Sequence, residues 1–161
     1  MEFVRTLLRL LRALNERGVD YILVGGAAMN VHGLVRATRD IDLFIAPEPG
    51  NVSRLREALR DVWDDPCVDD ISADDLCGDY PAVRYGPPDG NVSLDILTRL
   101  GEATRYADLE AQIVELDGVS VRVATPRTLV RMKQWTVRPI DRQDARALIE
   151  AFGLAEDDDA G

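Results

Sequence analysis

Hydrophobic positions along the chain fall into two periods, and these lay out most of the elements. Across residues 2–17, Val4, Leu7, Leu8, Leu11 and Leu14 recur at steps of three and four with Arg and Glu opposite, which predicts an amphipathic helix stopped by Gly18. Tyr21-Ile22-Leu23-Val24 is a continuous apolar run, as in a strand buried on both faces, and Gly25-Gly26 ends it. Ala27 to His32 suits a short helix closed by Gly33. Asp40 to Ile45 then alternates, with Ile41, Leu43 and Ile45 on one side and Asp40, Asp42 and Phe44 on the other.

The same reading continues to the C-terminus. Pro47-Glu48-Pro49-Gly50 is a turn before a helix carrying Val52, Leu55, Leu59 and Val62, with Asn51 or Ser53 as its expected cap. Residues 64–91 read as loop, with a short helix near Ser72–Cys77. Val92 to Leu97 alternates again, with Ser93, Asp95 and Leu97 on one face. Residues 102–111 are expected to be helical. Gln112–Leu116 and Val119–Val123 flank Asp117-Gly118, a strong hairpin signal. Thr125-Pro126 marks a helix start, and a last helix is expected from about Ile140 to Phe152, ended by Gly153. Together these predict an α/β (α+β) domain, a short mixed sheet with helices packed on it, over residues 1–154, followed by an acidic disordered tail at 155–161.

Composition narrows the class. The chain has 161 residues, 46% hydrophobic and 30% charged, enough for one domain with a proper core. No apolar run approaches a membrane span, and the N-terminal helix lacks a signal-peptide core, so a cytoplasmic protein with no membrane partner is expected. Cys67 and Cys77 read as free thiols in a reducing compartment. The net charge of −10 argues against broad nucleic-acid binding through phosphate neutralisation. Basic residues are arginines except for Lys133, which suggests a role that a compact ammonium fills better than a guanidinium.

The candidate chemistry lies where a strand pattern is broken. Asp is depleted in strands, yet Asp40 and Asp42 share one strand face about 6.6 Å apart. Carboxylates so placed converge on hard cations such as magnesium, which takes carboxylate oxygen together with substrate phosphate and water. Asp95 interrupts another strand and is the expected third carboxylate. Taken alone, the two aspartates also fit charges that protect a sheet edge. A strand ending in Gly25-Gly26 before a helix lets backbone N–H groups approach a phosphate. Phosphate at the glycines and metal at the aspartates describe a nucleoside-triphosphate site. Arg36 and Arg39 fit either a nucleotide or acceptor contact or a solvated loop. His32, Trp63 and Trp135 read as packing residues, with stacking on a base open to Trp135. Asp141 and Asp144 are expected to pair with Arg138 or Arg142.

These residues carry a resemblance. Gly25-Gly26, then Arg36-Ala37-Thr38-Arg39-Asp40-Ile41-Asp42-Leu43, then Leu94-Asp95-Ile96-Leu97 resembles the nucleotidyltransferase fold of the DNA polymerase beta superfamily. The chain is most similar there to AbiEii-type and MenT-type bacterial proteins, many of them toxins of toxin–antitoxin pairs. Thr125-Pro126 leading to Lys133, and Arg138-Pro139-Ile140-Asp141-Arg142-Gln143-Asp144, match further segments of that group. It departs where Gly26 stands for the Ser of many relatives and Ile140 for a Lys. The resemblance implies catalytic, metal-binding Asp40, Asp42 and Asp95 with Mg2+ or Mn2+ and phosphate at Gly25 and Gly26, and the residues themselves add Lys133 and Arg39 as expected nucleotide contacts. It implies transfer of a nucleoside monophosphate from a nucleoside triphosphate to a hydroxyl of tRNA, protein or a small molecule, with a possible antitoxin partner. The competing class is a nucleotidyltransferase-like module that binds nucleotide or a partner without turnover.

Overall fold

The computed structural model describes residues 2–88, 90, 92–101, 104–134 and 139–154, without the side chains of 134 and 139–141. Trp135, Arg138, the side chains of Ile140 and Asp141, and the acidic tail therefore lie outside the described residues. In chain order the elements are α1 (Glu2–Glu16), β1 (Tyr21–Val24), α2 (Gly25–Val31), β2 (Asp40–Ile45), α3 (Pro49–Trp63), a 3-10 turn (Pro66–Asp70), α4 (Ala73–Leu76), β3 (Ala82–Tyr85) and β4 (Ser93–Leu97). Then come β5 (Arg99–Leu100), β6 (Thr104–Arg105), a second 3-10 turn (Tyr106–Asp108), β7 (Ala111–Leu116), β8 (Val119–Ala124), α5 (Pro126–Gln134) and α6 (Pro139–Phe152).

Six strands form one mixed sheet in the order β3-β4-β2-β1-β8-β7. β1 lies at its centre, antiparallel to β2 and parallel to β8, and all four of its residues are buried. That central place is what its unbroken apolar run requires. The chain leaves β2 and returns through α3, α4 and β3 to β4, which lies parallel to β2. Leu7, Leu10, Leu11 and Leu14 seat α1 in the core, where it packs on α3 and β8, and α2 packs on β1 and β2. At the hairpin between β7 and β8, Asp117 and Gly118 both take positive φ (49 and 80), the backbone of a primed turn matched to strand twist. Thr125 caps α5 by accepting from Thr128 N at 3.2 Å, with Pro126 first in the helix.

Three local expectations fail. Ala82–Tyr85, set between prolines and read as loop, is an edge strand paired antiparallel to β4. Residues 104–108 are not helical: Thr104–Arg105 pair with Arg99–Leu100, and only a 3-10 turn follows. Asn51 does not cap α3, which begins at Pro49 after Glu48. Fully buried instead, Asn51 accepts from Asp20 N (2.8 Å) and donates to Asp20 O and Ala46 O (3.0 Å each), tying one end of the β1–β2 pair to the helix.

Candidate active site

The strand register assembles the carboxylates. Asp42 lies directly beside Asp95 across the parallel β2–β4 pair, so the two share a face, and alternation puts Asp40 on that face too. Asp42 is partly buried, and its carboxyl is pushed up to about 7 from an ordinary 3.8. Burial is the main cause, followed by the Asp95 charge, a shared hydrogen bond with Asp95 and the Asp40 charge; Lys133 acts in the opposite sense. The face thus carries more negative charge than its own cations offset at Asp42, the electrostatic condition that a divalent ion relieves.

Gly25 makes room for this arrangement. Its φ is +72, and a Cβ placed there would collide with Asp42 Oδ2 and lie 2.8 Å from Asp42 Cγ. Any side chain at 25 is therefore excluded twice, by conformation and by the carboxylate. Gly26 is close-packed differently. A Cβ there would sit 3.1 Å from Thr38 Cβ and 3.3 Å from Thr38 Oγ1, so Thr38 fills the space that a serine side chain would need. Thr38 in turn closes a local ring with Asp40, accepting from Asp40 N and donating to Asp40 O, both at 3.1 Å, which fixes the entry into β2.

Two charged groups complete the surroundings. Lys133 Nζ, on α5, lies 3.0 Å from Asp144 Oδ2 of α6, with side chains 11% and 5% exposed. Arg36 Nε donates to the same carboxylate at 3.1 Å from the loop before β2. Among the described residues Asp144 pairs with Lys133 and Arg36 rather than with Arg142 of its own helix, whereas the expected pairings of Arg138 and of Asp141 lie outside the described residues. Asp144 joins the two C-terminal helices to the motif loop. On the other flank Arg84 of β3 stands opposite Asp95 and donates to both of its oxygens, at 3.0 and 3.3 Å. The Arg84 guanidinium is also 3.6 Å from Asp40 Oδ1.

The predicted residues thus divide. Asp40, Asp42, Asp95 and Gly25 come together, Gly26 adjoins them under Thr38, and Lys133 is within electrostatic reach of Asp42. Arg39 is exposed, and only its carbonyl, which accepts from Ser93 N at 3.0 Å, has a role in joining β2 to β4. Among the described residues no three acidic, histidine or cysteine side chains are drawn into a ready-made cation cage. Asp95 and Asp40 are turned to Arg84 instead. His32 is a packing residue, its Nε2 2.8 Å from Ala124 O and its ring edge-on to Phe152. Both cysteines are free and exposed. No helix among the described residues is long and apolar enough to cross a membrane. Sequence reasoning missed Arg84, Thr38 and the bridging role of Asp144. Thr38 had a signal in its place inside the Arg36–Asp42 motif, and Asp144 in closing the Arg138–Asp144 segment, whereas Arg84 had none.

Residues 9–149 match the family described as nucleotidyl transferase AbiEii toxin, type IV TA system. The chain belongs to the AbiEii nucleotidyltransferase family. No curated protein matches this AbiEii-family chain significantly. Among solved structures, it is similar to ANT(2'')-Ia in complex with adenylyl-2''-tobramycin, with a TM-score of 0.61 and 16% identity over 95% of this chain and 91% of that one. An antigenic nucleotidyltransferase-like protein from Paracoccidioides brasiliensis gives 0.59 and 19% identity, over 94% and 77%. A putative nucleotidyltransferase from Thermotoga maritima gives 0.54 and 15%, over 94% and 93%. These likenesses establish the fold, and the AbiEii family makes the chain a nucleotidyltransferase.

Proposed function

We propose that this AbiEii-family domain transfers a nucleoside monophosphate from a nucleoside triphosphate to an acceptor hydroxyl and acts as the toxin of a toxin–antitoxin pair. The observation that carries the reading is the register of Asp42 against Asp95, with Asp40 on the same face and Gly25 leaving room at the Asp42 carboxylate. Asp40, Asp42 and Asp95 would hold Mg2+ or Mn2+. Such an ion, when bound, neutralises triphosphate charge and assists departure of pyrophosphate. The carboxylate chemistry fits it, because Asp42 lacks the compensation its charge needs.

The chain's own residues supply the rest. The Gly25-Gly26 backbone, at the start of α2 beside the Asp42 carboxylate, would turn its N–H groups to triphosphate oxygens. Lys133, steadied by Asp144, contributes a fixed positive charge to the triphosphate. Exposed Arg39 at the mouth is a further contact for nucleotide. In the transfer, the acceptor oxygen bonds to the α-phosphorus and the bond from that phosphorus to the pyrophosphate oxygen breaks. The acceptor proton passes to the Asp95 carboxylate. The acceptor is a hydroxyl of tRNA, a protein side chain or a small molecule, and the net charge of −10 favours a short contact over a long nucleic-acid track.

The test is incubation with labelled nucleoside triphosphates, magnesium, and total RNA or lysate. Transfer of label that disappears in Asp40→Ala supports the enzyme. Nucleotide binding without transfer supports the non-catalytic module instead. Unchanged nucleotide affinity and rate in Lys133→Ala would remove Lys133 from the nucleotide site.

A further inference from the structure

Arg84 touches two of the three site carboxylates, yet the reaction above gives it no part. It stands on the edge strand β3, directly opposite Asp95, and its guanidinium takes both Asp95 oxygens while lying 3.6 Å from Asp40. Two of the three carboxylates assigned to the metal are thereby engaged by one internal cation. Asp42, the third, has no such contact with Arg84 and is left facing the Asp95 and Asp40 charges. The Arg84 side chain is 63% exposed, so nothing packed around it prevents it from swinging away. A guanidinium held on both Asp95 oxygens and beside Asp40 competes with a divalent ion there: its positive charge repels the ion, and its two-pronged hold keeps the Asp95 carboxylate turned toward β3.

Resting on the metal-site reading above, we propose that Arg84 is a displaceable counter-cation that holds Asp95 and Asp40 while metal is absent and must leave them for metal to enter. Without nucleotide Arg84 offsets part of the charge on Asp95 and Asp40, and a free divalent ion gains little by replacing it. A metal–triphosphate complex gains more, because the same event places triphosphate oxygens on the ion and against Lys133. Metal entry and nucleotide entry become coupled, and by linkage each strengthens the other equally. Released, Arg84 stays at the edge of the site beside Asp95. Arg84 is in this sense a positioning residue: it acts through Asp95 and Asp40.

Binding of Mn2+ to the whole chain, followed by electron paramagnetic resonance with and without a non-hydrolysable nucleoside triphosphate, tests this. Wild type should bind free Mn2+ weakly and bind it much more tightly with nucleotide. Arg84→Gln should bind free Mn2+ about tenfold more tightly than wild type, from loss of a unit positive charge beside two ligands. Its coupling to nucleotide should shrink by a similar factor. Arg84→Lys, which keeps charge but loses the two-pronged contact, should fall between them. Circular dichroism checks that each variant is folded, which an exposed edge-strand position favours. If Mn2+ binds wild type, is lost in Asp42→Asn, and binds Arg84→Gln with unchanged affinity, the proposal is wrong and the metal site stands. If none of the variants binds Mn2+ with or without nucleotide, the metal-site reading fails and takes the proposal with it.

Discussion

Replacing Asp42 by Asn tests the electrostatic core of the site without any substrate. Folding moves the Asp42 carboxyl from 3.8 to about 7, chiefly through burial and then through the neighbouring Asp95 charge. The folded state therefore holds this proton more tightly than the unfolded chain. Its contribution to stability is fully present below the ordinary carboxylate value and is lost as pH rises through about 7. About three units at about 1.36 kcal/mol each set an upper bound of about 4 kcal/mol for the loss. Water at the partly exposed carboxylate and outward movement of Asp40 reduce it, leaving about 2–3 kcal/mol. Asn resembles the protonated acid: it is neutral and can still donate to Asp95. Asp42→Asn should match wild type near pH 4 and exceed it by about 2–3 kcal/mol near pH 8, or about 4–12 °C in Tm for a domain of this size. The assay is urea and thermal unfolding of both proteins in chelator at a series of pH values. Taking the difference between them cancels the other carboxylates. A difference that is flat with pH, or an Asn variant less stable than wild type at high pH, would refute the reasoning.

Other residues give further expectations. Gly25→Ala forces a Cβ into Asp42 and an alanine into positive φ; a loss of about 1–2 kcal/mol from the backbone alone, together with loss of Mn2+ binding, should appear in unfolding and metal titrations. Asp144→Ala strips the shared partner from buried Lys133 and from Arg36, so chemical denaturation should show a loss of about 3 kcal/mol, and a double-mutant cycle with Lys133→Ala should show strong coupling. Asn51→Ala leaves Asp20 N without its partner and removes one of the two bonds to each of Asp20 O and Ala46 O, which keep Ala46 N and Glu48 N, with an expected cost of about 1–3 kcal/mol in denaturation and no change in nucleotide affinity once folded. Metal must displace the Asp42 proton, so Mn2+ affinity should rise with pH up to about 7 and level off above it; a titration flat across that range would count against Asp42 as a ligand.

Much of this site was legible before any coordinates. Period-two alternation put Asp40 and Asp42 on one face, and two strand-like runs, each broken by Asp, implied neighbouring strands. The register that sets Asp42 against Asp95 then follows from parallel pairing of those runs. What stayed hidden depended on contacts distant in sequence or on weak local patterns. Arg84 is a single arginine in a segment bounded by prolines, and Ala82–Tyr85 is too short and too exposed on its outer positions to announce a strand. The sequence of residues 102–111 is rich in helix formers (Glu, Ala, Arg, Leu), yet at Thr104–Arg105 backbone pairing with Arg99–Leu100 wins over propensity. Asp144 had basic neighbours on its own segment, so local spacing pointed to them. Its partners among the described residues come from α5 and from the loop before β2, and tertiary packing selects them. Asn51 looked like a cap because it lies near a helix start, but the three backbone groups it satisfies belong to the β1–β2 end.

The most direct measurement of the central claim compares nucleoside triphosphates labelled at the α-phosphate with the same compounds labelled at the γ-phosphate. Each is incubated with the protein, magnesium and a lysate containing acceptor. Nucleotidyl transfer at the Asp40–Asp42–Asp95 face requires that α-label appear on an acceptor, that γ-label leave as pyrophosphate, and that both cease in Asp42→Asn while the variant remains folded. Transfer of γ-label, or α-transfer that persists in Asp42→Asn, would contradict it.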